Sequence, residues 1–306
     1  MEKKKVVKYP EYIFSGVFFT GLFVFFTFFY NSHLHFEEQF QLFLLTDSFF
    51  TEKMGFPGGF SGWTGGFLTQ FYYVSWAGPL IIAGLLFALQ RVTAQVLNII
   101  NSNPLLFPLS FLPSLLAGMI LCNEFYPLSA ITGFLLAMLA GLAYVKITND
   151  RNRFIAGLIL IPLTYWLAGG SFISLLLLML ANEFLLYRRL RKKRTRDPEP
   201  AGQHNFRGWY FIAFILIAAG IPLLVRQFLI LQPLMLTFLS EFYYNIRTTI
   251  PTAALVMFVL PALLMLIVHF VSVKVNYSKP LLTLQIALFG VLCWLGFKSF
   301  ANFEAE

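Results

Sequence analysis

Charge is what this sequence has least of. Asp, Glu, Lys and Arg make up 12% of its 306 residues, against 58% hydrophobic and 18% aromatic. An ordinary soluble domain carries about twice that charged fraction, so a soluble globule is excluded. Cysteine is nearly absent. Cys122 and Cys293 both sit inside apolar runs, which rules out a disulfide framework or a Cys-based metal spacing and leaves two small core residues. Acidic residues number 14 and histidines 4, so carboxylate or imidazole chemistry has few residues to draw on. Missing too are the short alternating segments of a membrane β-barrel and the Gly-Lys-Ser/Thr ending of a phosphate-binding loop.

What is present is length of apolar run. Phe alone occurs 37 times, and the mean hydropathy is +0.74. Several runs reach the roughly 20 residues needed to cross a bilayer core. Lipid leaves exposed backbone groups unsatisfied, so helices are the expected solution. The fold class is an all-α, polytopic transmembrane helical bundle forming one integral-membrane domain over 1–306. About nine spans are expected, at 12–31, 72–90, 104–122, 127–146, 154–169, 171–188, 209–225, 250–272 and 280–297. The fifth and sixth are turned by Gly169-Gly170-Ser171. The first run is too long for a signal peptide and has no small-residue cleavage site, so it reads as a retained span.

The net charge of +8 is topological. With the N-terminus inside, all but four of the 22 Lys and Arg fall on one side, the exceptions being Lys53, Arg226, Arg247 and Lys298. Such a bias marks the cytoplasmic side. It puts the C-terminus outside after nine spans and suggests a bacterial inner membrane. The basic loop 188–208 then meets water and anionic lipid, and nucleic acid is not expected as a partner. Membrane lipid is. The external side holds a long first loop, 32–71, and a segment at 226–249 that is broken by Pro233 and reads as interfacial or re-entrant.

The first loop opens with SHLHFEEQFQLFLLTDSFF. A helix is expected over 35–47, lying along the membrane with Phe36, Phe40, Phe43 and Leu44 on one stripe. Glu37 and Glu38 are adjacent, with His33 and His35 just before them. Like charges that close repel, and a carboxylate of heightened proton affinity suits a general base. The same carboxylates and imidazoles would also suit a divalent cation, or simply the wet face of an interfacial helix. Further on, GFPGGFSGWTGGF (55–67) carries six glycines and reads as a flexible connector that settles its aromatics at the headgroup level. Its Gly-x-Ser-Gly matches rhomboid-type proteases. The only span histidine, His269, lies near the opposite membrane face, which argues against that chemistry. Glu124, Arg226 and Arg247 are lone charges near membrane depth, where a charge is a functional candidate. Glu183 is expected to pair with the basic cluster beside Arg188. No inverted repeat or paired broken helices point to a transporter.

Three stretches, HLHFEEQFQLFLLTDSFF, PGGFSGWTGGFLTQFYYVSWAGPLI and GFKSFANFEAE, resemble an uncharacterised multi-span membrane family of Gram-negative bacteria with a domain-of-unknown-function label. The resemblance runs the full length of the chain. Members continue into a soluble C-terminal region, so it implies a shorter or truncated form here. The layout of the first third also resembles integral-membrane glycosyltransferases of the type C fold, whose first external loop carries an acidic motif on a membrane-parallel helix. There the motif reads acidic pair, variable residue, aromatic, glutamine. Glu37-Glu38-Gln39-Phe40-Gln41 fits, except that Glu37 replaces the usual aspartate. This resemblance implies transfer from a polyprenyl-phosphate-linked sugar, with Glu37 and Glu38 catalytic and Arg226, Arg247, Gln41 and His35 meeting substrate or phosphate. A non-catalytic scaffold or transport and assembly component is the competing class.

Overall fold

The computed structural model describes residues 9–40, 42–123, 126–194, 206–229, 237–239 and 252–271, with a few positions between 283 and 291. Among them no strand occurs. Eleven α-helices are described: α1 (Tyr9–Phe28), α2 (Asn31–Phe40), α3 (Asp47–Met54), α4 (Gly59–Thr69), α5 (Ala77–Ile100), α6 (Leu112–Leu121), α7 (Leu128–Lys146), α8 (Asp150–Ala168), α9 (Phe172–Arg194), α10 (Phe206–Phe228) and α11 (Thr252–Phe270). Short 3₁₀ turns fill Gln70–Tyr73, Pro104–Phe111 and Gly169–Ser171.

Among the described residues, six segments are long and apolar enough to cross a membrane. One of them, Asp150–Arg191, is 42 residues long and contains both α8 and α9. A further 17-residue apolar stretch, Ala254–Phe270, lies in α11. The chain is an all-α membrane-type bundle. Most of the expected ninth span and all but a few residues of the 226–249 segment lie outside the described residues.

Helix α7 is the axis, with α4, α5, α8 and α9 packed round it. Helix α1 lies on α5, and α11 lies against α9, α6 and α5. Apolar helices gain little from one another in lipid, so close backbone approach at small residues holds them. A Cβ built at Gly65 of α4 would stand 2.4 Å from Ser129 Cα of α7. At Gly141 it would meet Leu178 of α9, and at Gly157 of α8 it would meet Phe214 of α10. Thr132 donates to Ser61 O at 3.2 Å across the α4–α7 seam.

Three local expectations are corrected. The glycine-rich 55–67 stretch is not a flexible connector, because most of it is α4. Gly58 supplies the start with a left-handed φ of 79° and donates its N–H to Trp166 O at 2.9 Å. The helix expected over 35–47 ends at Phe40, residues 42–45 are non-helical, and Thr46 caps a separate α3 by accepting from Phe49 N. The second span starts later than expected and runs to Ile100, so Arg91 lies inside it. Arg91 is half-buried, spreads over the Tyr12 ring and reaches Ser15 Oγ. That places it in a buried relay in which Ser15 donates to Gln90 Oε1 and Gln90 Nε2 donates to Ser110. The Gly169–Ser171 turn between α8 and α9 is as expected, with φ 55° at Gly169.

The basic end of the bundle gathers the C-termini of α5, α7, α9 and α11 with the N-terminus of α8. Just inside it, Glu183 has no exposed side-chain surface and Arg153 is 3% exposed. Arg153 Nε donates to Glu183 Oε1 at 2.5 Å, and Tyr144 donates to the same oxygen at 2.9 Å. Arg153 Nη2 reaches Asp150 at 2.6 Å, and Nη1 donates to Ile147 O. The partner of Glu183 is therefore Arg153 on the neighbouring helix. Arg188, expected in that role, lays its guanidinium over the Phe270 and Phe184 rings.

Two tests follow from this packing. Gly65→Ala should lower the yield of folded, detergent-soluble protein sharply, while Gly62→Ala, whose Cβ meets nothing within 4 Å, should match wild type. Equal yields would mean α4 does not pack on α7. Glu183→Ala should cost about 3–5 kcal/mol, because it strands a buried guanidinium. Replacing both partners, as Arg153→Met with Glu183→Leu, should recover most of the loss in thermal unfolding. A double variant no better than the single would show that the pair is not coupled.

Candidate functional site

The end opposite the basic one carries α2, α3 and α4. Asn31 and Ser32 favour a helix start, and Leu34 N donates to Tyr30 O as α2 begins. Leu34 and Glu37 are three apart and share a face. Both are buried, at 0% and 7% exposure, and so is Tyr30 at 2%. The buried face sits on the Gln70–Tyr73 turn, α1 and α5. Gly78 makes room, since a Cβ there would stand 2.9 Å from the Tyr72 ring and 3.3 Å from Leu34.

A polar cluster forms under this helix. Tyr72 is 1% exposed. Its phenol is pushed well above its usual value, by burial first, then by the charge of Glu37, then by Tyr30. The His33 ring stacks on Tyr30 with centroids 4.5 Å apart and planes 12° apart. Tyr30 donates its hydroxyl to Cys122 O at the end of α6. His33 Nδ1, Asn31 Oδ1 and Tyr72 Oη are buried without a hydrogen-bonding partner among the described residues. Beside the cluster runs an aromatic shelf. Trp63 and Phe67 of α4 stack at 5.7 Å with planes 5° apart, and Phe43 and Phe50 close on Trp63 at 5.7 and 5.3 Å.

The residues expected at the site are distributed unevenly. Glu37 is the buried member of the acidic pair, while Glu38, about a quarter turn round the helix, and His35, more than half a turn round it, are half-buried. Arg226 is half-buried in the last turn of α10, a helix that packs on α8 and α9. Gln41, Arg247 and Glu124 lie outside the described residues, as does the side chain of Phe40. No group of three or more His, Cys, Asp or Glu among the described residues is placed to hold a metal ion, so the expected divalent cation finds no ready ligand set there. Tyr72 and Tyr30 were not singled out from the sequence. Tyr72 differs from its neighbour Tyr73, which is 77% exposed, only through the turn that separates them.

A family model matches residues 5–304. The chain belongs to the family of unknown function DUF6057. No curated protein and no solved structure matches it. The full-length family resemblance expected from the three sequence stretches is thus met, and the DUF6057 assignment carries no activity with it.

What the cluster offers chemically is a carboxylate, an imidazole and two phenols at the end of the first span. The Tyr72 shift has a pH consequence. The folded state holds the phenol proton more tightly than the unfolded chain does. That contribution is therefore complete below the ordinary tyrosine value of about 10 and is lost as pH rises above it. Tyr72→Phe should flatten the alkaline fall in thermal midpoint between pH 9 and 11 while changing little at pH 7. Parallel wild-type and variant curves across that range would show that Tyr72 is not the buried phenol responsible.

Proposed function

We propose that this DUF6057 chain is an inner-membrane protein with its basic end in the cytoplasm, and that the α2 end houses a transferase site for a polyprenyl-phosphate-linked sugar. The observation that supports this reading is the burial of Glu37 beside Tyr72 on a short helix just past the first span. A carboxylate shielded from water suits proton abstraction. In the proposed reaction an acceptor hydroxyl attacks the anomeric carbon and passes its proton to Glu37. The bond from that carbon to the phosphate oxygen breaks, and its electron pair leaves on the polyprenyl phosphate. Charge developing there calls for cations, the role given to Arg226 and Arg247, with Glu38, Gln41 and His35 orienting the acceptor. The aromatic shelf of Trp63 and Phe67 suits a sugar face.

The competing reading is a non-catalytic scaffold, in which α2 simply packs its polar face on the Gln70–Tyr73 turn. Proteoliposomes loaded with radiolabelled polyprenyl-phosphate hexoses and pentoses separate the two. Wild type should release polyprenyl phosphate, and Glu37→Gln should slow release by about 100-fold or more with an unchanged melting midpoint. No turnover by wild type across the panel, or equal turnover by the variant, would leave the scaffold.

A further inference from the structure

The basic end holds a second feature that neither the family nor the proposed transferase site explains. An open groove of about 960 Å³ lies between the ends of α9 and α11. It is lined by Arg188, Arg189 and Arg191 with Phe184 and Tyr187 from α9, and by His269 and Phe270 from α11. Three guanidiniums and an imidazole thus share one recess. Two of the arginines are held in place. Arg189 Nη2 donates to Ile100 O at the end of α5 at 3.3 Å. Arg188 lies over the Phe270 ring at 5.0 Å and the Phe184 ring at 5.8 Å.

We propose that this groove binds the phosphate of an anionic membrane lipid. A recess lined by charge of one sign focuses the field and draws anions to it. Guanidiniums meet phosphate oxygens in a two-pronged geometry. Aromatic side chains that are exposed here, Phe184 at 40%, Tyr187 at 45% and Phe270 at 57%, belong to the interface, where rings face acyl chains and polar tips face headgroups. A soluble phosphate would meet the arginines alone, whereas a lipid's acyl chains also cover the exposed surface of these rings. Solvated arginines alone would account for the charge but not for the recess shared between two helices. A phospholipid wedged there ties the ends of α5, α9 and α11 together.

The test uses the full chain in phosphatidylcholine nanodiscs. Phosphatidylglycerol or cardiolipin is titrated in, and binding is read by native mass spectrometry and by the rise in melting midpoint. Wild type should retain anionic lipid in preference to phosphatidylcholine. Arg188→Gln with Arg189→Gln should weaken retention by roughly 10- to 30-fold, since each basic group near the surface contributes about a factor of five. Arg151→Gln, on the first turn of α8 at the same end, should bind as wild type does. Because Arg189 also holds Ile100 O, Arg188→Gln alone is run beside the double variant, and it should show about a fivefold loss with an unchanged lipid-free midpoint. Equal binding of anionic and zwitterionic lipid, or undiminished binding by both variants, would overturn the proposal. Inorganic phosphate reproducing the full midpoint rise would overturn the lipid assignment in favour of a soluble anion.

Discussion

A carboxylate with no access to water sets the terms for half of this bundle. Glu183 lies among apolar helices, where an unanswered charge costs several kcal/mol. Its answer comes from two directions at once, the Arg153 guanidinium on α8 and the Tyr144 hydroxyl on α7, and Asp150 shares the guanidinium from the other side. Each donor has one usable direction, so the relative rotation of α7, α8 and α9 about their axes is fixed. Apolar packing alone would leave that rotation softly defined, because leucine faces in lipid have little to choose between. The pair thus acts on specificity as well as stability.

The other half is set by small residues. Helix α4 reaches α7 because Gly65 presents no side chain to Ser129, and its first turn is tied to the far end of α8 by Gly58 N–H. The long stretch after α1 is therefore pinned at its midpoint. Helices α2 and α3 hang between that pinned helix and the end of α1. The burial of Glu37 follows from this anchorage, since the Gln70–Tyr73 turn that leads out of α4 carries Tyr72 beneath it. The candidate site is consequently built on packed backbone, the condition under which a carboxylate holds one position.

The all-α membrane-type architecture was legible in the sequence because bilayer thickness converts directly into run length, and that signal needs no partner. Arg91 escaped it, because a span was closed at the first charge although a long side chain inside a helix can reach Tyr12 and Ser15. The six glycines of 55–67 pointed to flexibility by their propensity, which is a weak prior that tertiary packing overrides. In a membrane the same glycines are contact residues. The stripe of Phe36, Phe40 and Phe43 looked like one helix because a helical period does not register a break, and Thr46, the cap of α3, was passed over. Glu183 was matched to Arg188, five residues along, when its partner lay 30 residues away on the adjoining helix. No pairing across helices is visible from spacing on one of them. Of the candidate site, the acidic helix was found and its buried face was not. Burial of Glu37 over Glu38 depends on which face Tyr72 and Gly78 accept.

The two ends of the bundle differ in how they hold charge, and the difference has a physical origin. At the basic end, cations outnumber anions, and the helix C-termini of α5, α7, α9 and α11 supply partial negative charge that offsets some of the excess. Arg189 does this directly at Ile100 O. At the opposite end the described charges are few, and Glu37 is buried where its charge raises the Tyr72 phenol. A carboxylate and a phenol buried together resist being ionised at once, because like charges so close repel. The basic end therefore holds a buried carboxylate against a guanidinium, and the opposite end holds one against a phenol it keeps protonated. Two titratable groups whose burial and charge act on each other's protons are the physical reason to look for chemistry at Glu37.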